Sequence, residues 1–144
     1  MTNQLDFMLL HDESISVSLA LLDIGLGCGI YKEVEFVVDT GASKTLISLV
    51  TFLGLGYKHL KADTYQTVGT FAGDLNCYNY KIPSFRLAGT LMVEKPTIWV
   101  PDDPKCVCNV LGQNILKEYN YFVDNDVCCI YFEPKSKSNL SLSR

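Results

Sequence analysis

The 144-residue chain has no cluster of lysines and arginines. Its twelve basic residues are scattered among sixteen acidic ones, for a formal net charge of −4. Nucleic-acid binding draws much of its strength from grouped cations, so no nucleic-acid partner is expected. An apolar run of membrane-spanning length is missing too. The longest candidate, Ile15 to Tyr31, is broken by Asp23 and by Gly25, Gly27 and Gly29, so no membrane partner is expected either. The opening Met1-Thr2-Asn3-Gln4-Leu5-Asp6 lacks the basic start and apolar core of a secretory signal. We therefore expect a cytoplasmic protein, or one excised from a longer precursor. The chain has no internal repeat.

What is present is enough apolar material for one domain: 48% of the residues are hydrophobic. The mean hydropathy of +0.15 is high for a small monomer and fits a chain that buries surface against a partner. Six cysteines occur, at 28, 77, 106, 108, 128 and 129. In a chain without a secretory signal, reduced buried thiols are the expectation. Cys106-X-Cys108 and the adjacent Cys128-Cys129 lack the ligand spacing of a zinc knuckle, and neighbours on a strand face opposite ways. No metal and no other cofactor is expected.

Along the chain, Met1 to Glu13 reads as a lead with one apolar patch, Phe7-Met8-Leu9-Leu10, suited to pairing at a sheet edge. Ile15 to Ile24 and Tyr31 to Val38 read as strands joined by the turn Gly25–Gly29. Thr45 to Leu53 reads as a strand and a short helical turn. Thr64 to Val68 and Asn76 to Ile82 read as strands about a glycine-bearing tip, a hairpin by composition. Strands are also expected over Ser84 to Gly89, Leu91 to Val100 and Cys106 to Leu111, with Pro83 and Pro96 as edge or boundary residues. A short helix over Gly112 to Glu118 and a hairpin of Tyr121 to Asp124 with Val127 to Phe132 complete the domain. The organisation is thus a lead over 1–14, a domain over 15–134 and a polar tail over 135–144 expected to be disordered.

One stretch stands apart. Phe36-Val37-Val38 runs into Asp39-Thr40-Gly41-Ala42-Ser43, so an apolar strand ends on a carboxylate. Desolvating a charge is costly, so such an ending calls for a reason. Gly41 permits a sharp turn, and Thr40 and Ser43 carry hydroxyls able to hold it. Seventy positions after Asp39 comes Asn109-Val110-Leu111-Gly112-Gln113-Asn114-Ile115-Leu116. Asp39-Thr40-Gly41 with its flanks resembles the active-site loop of the single-lobed, retropepsin-like aspartic proteases. The second stretch resembles that family's apolar-apolar-Gly-X-Asn/Asp-apolar-apolar motif. The likeness runs from about Ile15 to Pro134.

The resemblance implies a mainly β fold: a closed β-barrel lobe with one flap hairpin and one short C-terminal helix. It implies an aspartic endopeptidase. Asp39 would be catalytic, supported by Thr40, Gly41, Ala42 and Ser43. Val68, Gly69, Thr70 and Phe71 would belong to the flap that folds over a peptide or protein substrate. Gly112, Gln113 and Asn114 would form the second motif. The loop Pro101–Lys105 would line substrate pockets, with Tyr65 and Phe71 as candidate contacts. The chemistry needs two carboxylates on one water, yet there is no second Asp-Thr-Gly or Asp-Ser-Gly. The active species would therefore be a homodimer pairing two copies of Asp39. The pair shares a proton, and its titrations belong to both members. Ala42 stands where acid-active two-lobed relatives carry a hydroxyl, which implies activity at mildly acidic to neutral pH. Retroviral members pair an acid and a base at the positions of Ser43 and Gln113; here both are neutral, and a hydrogen bond between them is expected instead. Trp99 is expected in the core rather than on a pocket wall. Two other readings remain open: a catalytically silent dimerisation or peptide-binding module of the same fold, and an unrelated all-β protein whose cysteines bind zinc.

Overall fold

The computed structural model describes residues 3–25, 29–70 and 73–135. Their order is β1 (Asn3–Leu9), β2 (Ile15–Asp23), β3 (Ile30–Val38), α1 (Leu49–Gly54), β4 (Tyr65–Thr70), β5 (Gly73–Lys81), β6 (Phe85–Ala88), β7 (Leu91–Val93), β8 (Thr97–Pro101), β9 (Val110–Leu111), α2 (Gln113–Leu116), β10 (Tyr119–Asp124) and β11 (Cys129–Pro134). The fold is mainly β, as expected.

The hairpin of β2 and β3 is the spine. Val17, Leu19 and Leu21 alternate inward on β2, and Val34 and Phe36 do so on β3, while Ser18, Glu33 and Glu35 face out. That alternation fixes the register, because a one-residue slip would turn the apolar face to water. The strands pair without interruption from Ile15 opposite Val38 to Asp23 opposite Ile30. At the turn end, buried Asp23 is held by Lys32 at 2.9 Å and by the Gly25 amide at 2.9 Å. The rest of that turn, Leu26–Cys28, lies outside the described residues.

The lead is part of the sheet. Asn3 to Asp6 pair with β11, and Phe7 to Leu9 pair with β2, so β1 changes partner midway and lies between them. The large sheet runs β10-β11-β1-β2-β3-β9, with β6 on β2 and β7 on β6; β4-β5-β8 form a second sheet. The expected closed barrel is not formed. The path ends at β10 on one side and at the two-residue β9 on the other, and these do not pair. What joins the two sheets is Leu46, which bridges Trp99 and Val110.

Three expected elements change. The strand foreseen over Cys106 to Leu111 shrinks to Val110–Leu111. Its first residues are drawn into a turn, with the Cys106 amide donating to Asp103 at 3.1 Å. Leu91 to Val100 splits into β7 and β8 at Lys95, which takes φ 36° just before Pro96. The helix foreseen from Gly112 to Glu118 covers only Gln113–Leu116. The tail from Ser136 onward lies outside the described residues. One core, including Leu19, Leu21, Phe36, Ile47, Phe85 and Leu116, fills the lobe. A smaller cluster of Leu46, Val68 and Cys77, with Leu75, Trp99 and Val110, lies beside the cleft described next.

Candidate active site

β3 stops at Val38 because the chain is captured by β9. The two run parallel, Val37 opposite Val110 and Val38 opposite Leu111. The Val37 amide donates to Asn109 at 2.9 Å and the Asp39 amide to Leu111 at 3.0 Å. Beyond Asp39 the backbone folds on itself. The half-buried Asp39 carboxylate accepts the Gly41 amide at 2.9 Å, and the Asp39 carbonyl accepts the Ala42 amide at 3.1 Å. This is an Asx-type turn, and it fixes the carboxylate relative to its own loop. A side chain at Gly41 would stand 3.3 Å from the carboxylate oxygen.

The second motif holds this loop from behind. The Gln113 amide donates to Ala42 at 2.7 Å and the Asn114 amide to Ser43 at 3.1 Å. The side chain of Gln113 donates to the Thr40 carbonyl at 2.9 Å. The expected bond between Ser43 and Gln113 side chains is therefore replaced: the longer amide reaches past Ser43, which points to solvent, and secures the turn one step earlier. Asn114 accepts the Thr45 amide and donates to the Thr97 carbonyl, both at 2.8 Å, joining loop, α2 and β8. Buried Thr45 completes the lattice, its hydroxyl accepting the Gly112 amide at 3.0 Å. Gly112 is needed for closeness rather than for φ. A methyl there would press on the Lys44 carbonyl, 2.6 Å from its carbon and 3.0 Å from the Ala42 oxygen.

One cleft of about 710 Å³ brings much of the predicted set together. Asp39, Gly41, Ala42 and Ser43 line it, and so do Val68, Gly69 and Thr70 of the β4–β5 hairpin. Phe71 lies outside the described residues. Thr40 is exposed and does not line the cleft; Gly112, Gln113 and Asn114 do not either, and act through the loop. Pro101, the last residue of β8, and Lys105, from the loop after it, reach the cleft. Tyr65 does not: it stacks on Tyr78 and donates to Asp102 at 2.8 Å. Trp99 packs in the small cluster, with the Lys44 ammonium 5.2 Å from its ring centroid.

Several contributors were missed from sequence. Thr45 and Asn109 were not singled out, although the side chain of each ties separate segments together. Asn109 accepts the Ser48 amide at 2.8 Å and donates to Glu35 at 3.1 Å, tying the helix cap to β3. Its place directly before the second motif was the available signal. Lys44, Cys106, Val107 and Cys108 also line the cleft. Burial and the charges of Asp103, Cys108 and Asp102 raise the Cys106 pKa. Buried Cys77 is pushed up to about 11, first by desolvation and then by Asp102 and Cys106. Among the described residues no three His, Cys, Asp or Glu side chains converge as metal ligands, and no helix is long and apolar enough to cross a membrane.

Residues 31–118 match the model of a family described as "gag-polyprotein putative aspartyl protease". Among solved structures, the fold is similar to a retropepsin-like aspartic protease from Rickettsia conorii. The TM-score is 0.62 at 15% sequence identity, covering 92% of this chain and 91% of that one. No curated protein matches the chain.

Proposed function

We propose an aspartic endopeptidase, from the premise that this chain belongs to the gag-polyprotein aspartyl protease family and has a retropepsin-like fold. Family membership removes the unrelated zinc-binding reading. The observation that carries the proposal is the company kept by Asp39. Its carboxylate is held in a tight turn beside a cleft that the β4–β5 hairpin also lines.

One carboxylate cannot activate water and protonate a carbonyl together, so the active species is a homodimer in which two Asp39 side chains face each other across a two-fold axis. Like charges in contact share a proton. The ionised member takes a proton from water as it attacks the scissile carbonyl, and the protonated member donates to the carbonyl oxygen. The gem-diol collapses when a proton passes to the amine. Neither a metal nor a covalent intermediate enters these steps. Thr40 supports the pair across the axis, and the hairpin residues Val68, Gly69 and Thr70, with Phe71, act as the flap. The substrate lies extended, bonded through its backbone as an added strand. Ala42 stands where acid-active two-lobed relatives carry a hydroxyl, and activity is accordingly expected at mildly acidic to neutral pH. The five described cysteines are unpaired, which fits a reducing compartment such as the cytoplasm.

The test is hydrolysis of a mixed peptide library by wild type and Asp39→Asn from pH 3 to 8. Cleavage by wild type, lost in the variant and blocked by a statine-type inhibitor, is the expected result. Well-folded dimer that cuts nothing at any pH would instead favour a silent peptide-binding module. Activity that keeps rising to the acid end of that range would refute the role given to Ala42.

A further inference from the structure

Resting on the peptidase reading, we propose that the cleft selects peptides carrying an acidic side chain among apolar ones, and that Lys44 and Lys105 read that acid. The chain as a whole is acidic, at −4. Its cleft is not. Asp39 is the one acid among the lining residues, against two lysines. The rest of the wall is largely apolar, with Leu46, Val68, Leu75, Pro101, Val107 and Val110.

Among the described residues neither lysine is within 4 Å of a carboxylate, and the ion pair formed is that of Lys32 with Asp23. Two further acids lie close by without lining the cleft: Asp102 accepts from Tyr65 at 2.8 Å, and Asp103 accepts the Lys105 backbone amide at 2.9 Å. Lys44 is half-buried, and its ammonium sits over the Trp99 ring. A cation on an aromatic face is held in place without being neutralised. It remains free to meet an incoming carboxylate, and low-dielectric walls focus its field into the cleft. Position matters as well as charge. Lys44 belongs to the loop that carries Asp39, and Lys105 to a different loop, after β8; both line the one cleft. In a two-fold dimer both lysines recur on the far side of the scissile bond, so an acid is favoured on either side of it.

The experiment compares two peptides that differ by one Glu-to-Gln exchange, built on a sequence that the library shows to be cut. Both kcat/KM and binding to Asp39→Asn protein are measured, for the native lysines and for Lys44→Met, Lys105→Met and the double variant. We expect the Glu peptide to be preferred by about three- to tenfold, the range of a partly exposed ion pair, with the preference shrinking in high salt. It should fall to near one in the double variant. Equal use of both peptides, or a preference that survives in the double variant, overturns the proposal and leaves the peptidase intact. If nothing in the library is cut, the peptidase reading fails; the pair is then built on a library peptide that Asp39→Asn protein binds, and its Glu-over-Gln binding ratio decides whether the lysines select acids.

Discussion

At the residue scale, the site depends on groups that never touch the cleft. Gly112 shows this most sharply. Its position is set by the approach of α2 to the Asp39 loop, and a methyl there would meet main chain, which cannot rotate away. Overpacking of this kind costs about 1–3 kcal/mol. We expect Gly112→Ala to lower the urea midpoint accordingly and to cut activity further, because the part displaced is the loop that carries Asp39. An unchanged midpoint with full activity would show that α2 does not brace the loop. The sequence displayed Gly112 plainly as part of a motif. It did not display Thr45, whose hydroxyl receives the Gly112 amide, since an isolated threonine after a turn looks like any other.

At the element scale, the legible parts were those with their own periodicity. The β2–β3 hairpin alternates cleanly and was placed within a residue or so. Cys106 to Leu111 also reads as a strand, yet only Val110 and Leu111 find a partner strand; pairing is a tertiary fact that local sequence cannot report. Barrel closure failed for the same reason, because no residue pattern tells whether two distant edges meet. The β4–β5 hairpin was legible from its glycines, and its pairing now gives it a property. β8 supports β5 only from Cys77 to Lys81. Beyond that, Val68 pairs with Leu75 and Gly69 with Asp74 in an unsupported two-stranded ribbon. Such ribbons are marginal alone. Amide exchange at Val68, Gly69 and Leu75 should therefore be faster than at Cys77 to Lys81. A peptide inhibitor at a hundred times its Kd should slow the first group about a hundredfold if the ribbon closes over it. Unaltered exchange in the ribbon on saturation would remove its role as a flap.

At the scale of the whole molecule, the proposed mechanism assigns one of its two carboxylates to each chain. The surface also retains apolar side chains that a lone lobe leaves in water, among them Met8, Leu9, Val107 and Phe122. The single Asp-Thr-Gly is what points to a second copy in the proposal, whereas the faces that would meet cannot be read from sequence, since interface residues share the composition of any surface. The requirement can be tested without knowing those faces. Wild type and Asp39→Asn are mixed at constant total protein and allowed to exchange subunits, after sedimentation has confirmed that both assemble. If each active unit needs two intact carboxylates, random pairing leaves roughly one quarter of the dimers competent at equal parts, and activity follows the square of the wild-type fraction. If each chain works alone, activity falls in proportion and half remains. Dilution separates the cases again: specific activity drops as dimers dissociate in the first and stays level in the second. A linear mixing curve would mean that Asp39 finds its second catalytic group within its own chain, and the shared-proton mechanism would then be wrong for this protein.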